Sequence, residues 1–82
     1  MAVRVVRLGD PTATDAPFRF SKGERVAWKR WDRTADGEFS GTVVDGICEY
    51  LPGGGAYRDS YVVERQDGLR FGAGHFDLVK VG

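Results

Sequence analysis

Lys22-Gly-Glu-Arg-Val-Ala-Trp28, followed after a charged stretch by Phe39-Ser-Gly-Thr-Val-Val-Asp45, is the sequence on which the fold turns. Lys22-Gly23 has the composition of a tight turn, and Glu24 to Lys29 alternates as a strand does. Val26 and Trp28 project to one side, and Arg25, Ala27 and Lys29 to the other. Arg30 to Gly37 reads as a long charged loop, and Glu38 to Ile47 as a second strand. Gly41 inside that strand predicts a bulge or sharp bend, the device by which a small sheet curls. These features predict an all-β, antiparallel domain.

Working downstream, Ser60 to Arg65 alternates with Tyr61 and Val63 toward the core, and Val62 and Glu64 away from it. Gln66-Asp67-Gly68 is a hairpin signal, because Asp-Gly tolerates the backbone angles that tight turns require. Leu69 to Gly72 forms the next short strand, Gly72 to Asp77 fits one 3₁₀ turn, and Leu78 to Val81 closes the series. Glu49 to Asp59 contains Pro52-Gly-Gly-Gly55 and reads as a mobile connection. It does not read as a phosphate cradle, which needs a following helix N-terminus and usually a Lys. Upstream, Ala2 to Leu8 is strand-like, with Val3 and Val5 on one side and Arg4, Val6 and Leu8 on the other. So strand-like a segment is expected to pair with a sheet edge, in its own chain or a neighbour's. Gly9 to Pro17 is a Pro-containing polar linker, and Pro17 lacks an amide hydrogen. The expected organisation is therefore a strand and linker over 1–17 and one domain over 18–82.

Composition limits the function. A chain of 82 residues holds one small domain with a thin core, which invites oligomerisation. Twelve basic residues balance twelve acidic ones, so net charge does not drive the molecule onto nucleic acid or membrane. The balance is uneven along the chain. Arg19 to Arg33 carries six basic residues against Glu24 and Asp32, while Thr34 to Asp67 carries seven acids against Arg58 and Arg65. Cross-strand charge pairing between the two adjacent strands is one reading, and a basic face for phosphate or self-association is the other. Cys48 is the only cysteine, which excludes an intrachain disulfide and a thiolate metal cage. Arg4 and Arg7 interrupt the apolar start, and no run is long enough to span a bilayer. The expectation is a soluble cytoplasmic protein without membrane contact.

The order of strand, long loop, Gly-containing strand, hairpin, 3₁₀ turn and short final strand resembles the SH3-like small barrels over about Phe18 to Val81. Gly23-Glu-Arg-Val26 and Gly41-Thr-Val-Val44 look like the opening of Tudor- and KOW-type barrels. That resemblance implies a five-stranded SH3-like barrel, here with an extra N-terminal strand, acting as a non-catalytic interaction module. A more distant resemblance is to the plasmid-borne type II dihydrofolate reductases. It rests on Gly23-Glu-Arg-Val26, Gly41, Val44, Cys48 with Leu51, Tyr61-x-Val63-Glu64 and Leu78. It implies an oligomeric oxidoreductase using NADPH, with its active site on a symmetry axis. That family lines its pore with Val-Gln-Ile-Tyr, where this chain reads Arg70-Phe-Gly-Ala73. The reductase is therefore the alternative, and no cofactor is expected under the first reading.

Candidate functional residues follow from where the aromatics and cations fall. Trp28, Tyr61 and Phe71 occupy inward strand positions and are expected in the core. Trp31, Tyr50 and Tyr57 fall in predicted loops, beside Lys29, Arg30 and Arg33 in the case of Trp31. Rings in polar loops on a rigid barrel are suited to stacking on bases or on a peptide, the usual mode of small barrels. Trp31 could equally fold back over one barrel end. Lys29, Arg30, Trp31, Arg33, Tyr50 and Tyr57 are thus the predicted binding residues, for a nucleic acid or protein partner. His75, the only histidine, has no second histidine or paired Cys to make a metal site, so packing or capping is expected of it. Cys48 reads as a small buried residue.

Overall fold

A computed structural model describes residues 3–12, 15–29, 40–53 and 57–81. The strands are β1 (Arg4–Arg7), β2 (Arg25–Trp28), β3 (Ser40–Tyr50), β4 (Tyr57–Glu64), β5 (Arg70–Gly74) and β6 (Leu78–Lys80), with a 3₁₀ turn at His75–Asp77. All pairings are antiparallel, in the order β5-β4-β3-β2-β6, and β1 lies on β3. The all-β expectation is met by a single six-stranded sheet that is not closed. Among the described residues, no helix is long and apolar enough to cross a membrane.

The long strand β3 organises the molecule. Its first residues pair with β2 (Arg25 with Thr42) and its last with β1 (Val6 with Cys48), while β4 runs along its whole other edge. The expected pairing of the N-terminal segment therefore occurs within its own chain. Two apolar clusters follow from this division. Phe20, Val26, Val43, Tyr61, Val63 and Leu78 form the larger one, and Val6, Cys48 and Tyr50 the smaller, with half-buried Phe18 touching both. Each fully buried aliphatic side chain contributes about 1.5–3 kcal/mol. Cys48 is fully buried, as its apolar setting predicts.

Turns fall where the sequence placed them. Gly23 and Gly68 have φ of 90° and 87°, a region closed to most side chains. The Gly68 amide donates to the Arg65 carbonyl and the Arg65 amide to the Leu69 carbonyl, which makes a three-residue hairpin loop. The curl of β3 is displaced from its expected position. The register shifts between Val43 and Asp45, so Val44 is the bulged residue. Gly41 is required for another reason: a Cβ there would lie 2.4 Å from the Glu64 carbonyl oxygen.

Strand ends and one aromatic also depart from expectation. Strand β3 runs on to Tyr50 and β4 begins at Tyr57, so both ends of the supposed mobile connection are paired hairpin, with Tyr50 opposite Tyr57. Phe71 is 41% exposed rather than core, packed edge-on against half-buried Trp28 at 5.9 Å. Ion pairs among the described residues link Arg7 to Asp45, Arg65 to Asp67, Arg70 to Glu64 and Lys80 to Glu24. Among the described residues, none joins β2 to β3.

Candidate functional site

Asp59 has the parity of Tyr61 and Val63 on β4 and therefore points inward, where it is 1% exposed. A buried carboxylate is costly unless its oxygens accept hydrogen bonds, and the fold supplies three donors. His75 Nδ1 approaches Oδ1, the Tyr61 hydroxyl donates to Oδ2, and the Arg19 amide donates to Oδ2 at 3.2 Å. The Tyr61 oxygen in turn accepts from the amides of Arg19 and Phe20, at 2.7 and 3.2 Å. Burial, and then the bond to Asp59, push the Tyr61 hydroxyl well above its ordinary range. This network fastens three remote pieces together: the segment at Phe18 to Phe20, strand β4 and the 3₁₀ turn.

The consequence lies on the surface. His75 is held edge-inward, and two aromatic rings pack on it. Tyr57 stacks on it with centroids 5.6 Å apart and 23° between planes, and Phe76 lies 3.9 Å away at 44°. Phe76 is 76% exposed and Tyr57 36% exposed. The Arg19 guanidinium extends the row, donating from Nε and Nη2 to the Tyr57 hydroxyl at 3.2 and 3.0 Å, which raises its pKa further. The result is a row of three rings ended by a cation, fixed from beneath by Asp59. The second ring nitrogen, Nε2 of His75, is buried and has no hydrogen-bond partner among the described residues.

The predicted residues distribute as follows. Tyr57 belongs to this row, at the start of β4. Lys29 is exposed immediately after β2; since Trp28 pairs with Leu78, the chain leaves β2 beside the point where the 3₁₀ turn enters β6. Arg30, Trp31 and Arg33 lie outside the described residues. Tyr50 is not a loop residue: it ends β3 buried, 5% exposed, with its hydroxyl donating to Asp15 at 2.8 Å and Arg4 over its ring. The bond to Asp15 raises its pKa. The correction has a plain cause, since β1 covers this end of β3 and continues the sheet there. Arg19, Asp59, His75 and Phe76 were not singled out as binding residues by the sequence. Asp59 was accessible to the parity argument, being two residues before Tyr61; the convergence of Arg19 and His75 on it was not.

Two shallow grooves lie elsewhere on the described surface. One of about 520 Å³ crosses Gly46, Ser60, Gly72, Gly74 and Asp77, and one of about 610 Å³ lies among Arg7, Asp10, Lys22 and Arg70. In the second, Arg7 is bidentate to Asp45, at 3.1 and 2.7 Å, and with the Gly46 amide holds that carboxyl down at about 2. Among the described residues no cluster of three or more His, Cys, Asp or Glu could hold a metal ion. No protein-family model, curated protein or solved structure matches this chain.

Proposed function

We propose that the chain is a non-catalytic interaction module on the SH3-like barrel plan, and that its partner is a single-stranded nucleic acid. The observation that carries this reading is the pair of exposed rings, Tyr57 and Phe76, both packed on buried His75, with Arg19 on the Tyr57 hydroxyl and Lys29 beside the same turn. Bases stack on rings without regard to sequence, and phosphates are met by cations spaced among those rings. The basic segment from Lys29 through Arg30, Trp31 and Arg33 continues from that point and supplies a further ring and two further cations. Support for the barrel plan comes from the strand order, in which β2 is flanked by β3 and β6 and the 3₁₀ turn precedes the last strand. The lone, buried Cys48 suits a reducing, cytoplasmic setting.

Fluorescence titration with a single-stranded oligonucleotide tests the reading. Phe76→Ala is expected to weaken binding by roughly 1–3 kcal/mol, with melting temperature unchanged because the ring is exposed. Trp31→Ala should behave alike. Wild-type protein that does not bind at low salt would overturn the proposal, as would Phe76→Ala binding like wild type. A protein partner recovered with an intact dependence on Phe76 would redirect it to peptide recognition.

A further inference from the structure

Strand β5 is the open end of the sheet path, and its sequence Arg70-Phe-Gly-Ala-Gly74 contains two glycines that the chain itself does not explain. Neither has a positive φ. A Cβ at Gly72 would meet nothing nearer than the Tyr61 carbonyl oxygen at 4.0 Å, and one at Gly74 nothing nearer than Asp77 Oδ2 at 3.8 Å. Glycine weakens a strand interior, and often marks a place where another backbone approaches.

The ladder fixes which backbone groups face outward. The Arg65 amide bonds the Leu69 carbonyl, so Arg65 and Leu69 form a hydrogen-bonded pair. Pairs then alternate along the antiparallel ladder. Phe71 and Ala73 bond to Val63 and Tyr61, while the N–H and C=O of Arg70, Gly72 and Gly74 turn to the free edge. Among the described residues no strand lies on that edge.

We infer that β5 pairs antiparallel with β5 of a second copy, about a two-fold axis at Gly72. In this register Gly72 faces Gly72 and Arg70 faces Gly74, so each outward group on one copy meets an outward group on the other, giving about six hydrogen bonds. Registers centred on Phe71 or Ala73 align fewer. The charges match as well. Arg70 lies directly across from the partner's Gly74, on the face where Asp77 Oδ2 sits 3.8 Å from the Gly74 Cβ position. Arg70 is tied to Glu64 through Nε at 2.8 Å, and its Nη groups, which bond to none of the described residues, can reach that carboxylate. Asp77 accepts no ion pair among the described residues, and symmetry makes the contact twice. The groove of about 520 Å³ that crosses Gly72 and Gly74 receives the partner's Arg70 stem. On the other face, exposed Phe71 meets the partner's Ala73.

Sedimentation velocity on the full chain, up to about 1 mM, is the test, since an edge-only interface is a weak one. A concentration-dependent dimer is expected. Gly72→Pro removes an outward N–H that the chain does not use, and should leave a folded monomer by circular dichroism. Arg70→Asp and Asp77→Arg each set like charges together and should weaken association about five-fold or more. The double variant Arg70→Asp/Asp77→Arg should restore it, which decides the matter even if Gly72→Pro fails to fold. A wild-type monomer at the highest concentration, or a dimer indifferent to the charge swap, overturns the inference.

Discussion

Asp59 is the residue on which most depends, because one carboxylate satisfies donors from β4, the 3₁₀ turn and the segment at Arg19. Removing it takes the acceptor from the Tyr61 O–H and the partner from His75 Nδ1, both buried, each costing about 1–3 kcal/mol. Asp59→Ala is therefore expected to lose about 3 kcal/mol in urea unfolding, and to loosen the ring row although it touches no solvent. The same network predicts an alkaline limit. The Tyr61 pKa is raised in the folded state, chiefly by burial, so the unfolded chain gives up that proton first. Stability is then complete below about pH 10, the unfolded value, and falls as pH rises above it. Tyr50, raised by its bond to Asp15, acts in the same direction. Melting temperature followed from pH 9 upward should fall more steeply for wild type than for Tyr61→Phe, whose starting stability is lower. At this scale the sequence was legible by parity: it set Tyr61 and Val63 inward and would set Asp59 with them. It could not show that His75, sixteen residues on, supplies the partner, because that depends on where the 3₁₀ turn lands.

At the scale of elements, alternation identified every strand but not its length. Tyr57-Arg58-Asp59 and Cys48-Glu49-Tyr50 look like loop flanks beside Pro52-Gly-Gly-Gly55, yet they pair across β3 and β4. What extends them is β1, which buries Cys48 and Tyr50 beneath Val6 and is remote in sequence. Gly41 illustrates the same limit. Its presence signalled something special, but the backbone bends at Val44, and Gly41 instead admits the Glu64 carbonyl. Two glycine substitutions separate these roles. Gly41→Ala would set a Cβ 2.4 Å from a backbone oxygen held in a ladder, and should cost about 3 kcal/mol. Gly46→Ala meets the Ser60 carbonyl at 3.0 Å and the Tyr61 ring at 3.1 Å, and should cost about 1 kcal/mol. Equal losses in denaturant unfolding would contradict the assignment of Gly41 to a rigid close approach.

For the whole molecule, the zero net charge conceals a local asymmetry that bears on its partner. Cations are gathered between Arg19 and Arg33 and acids between Thr34 and Asp67, and no ion pair among the described residues joins β2 to β3 to cancel them. The ring row carries Arg19 at its end and Lys29 beside its turn, with Arg30 and Arg33 following in the chain. If all four meet phosphates of a single strand, each releases about 0.7 of a counterion, so the logarithm of affinity should fall against the logarithm of salt with a slope near about −3. Lys29→Ala should make that slope shallower by about 0.7, whereas Phe76→Ala should lower affinity at every salt concentration and leave the slope unchanged. The two variants thus divide the site into its electrostatic and stacking parts. The acidic remainder of the surface limits non-specific attraction, so binding should be lost at moderate salt rather than persist as it would for a uniformly basic domain. A slope near zero with affinity retained would mean that the cations do not meet phosphate, and that the rings hold a neutral partner.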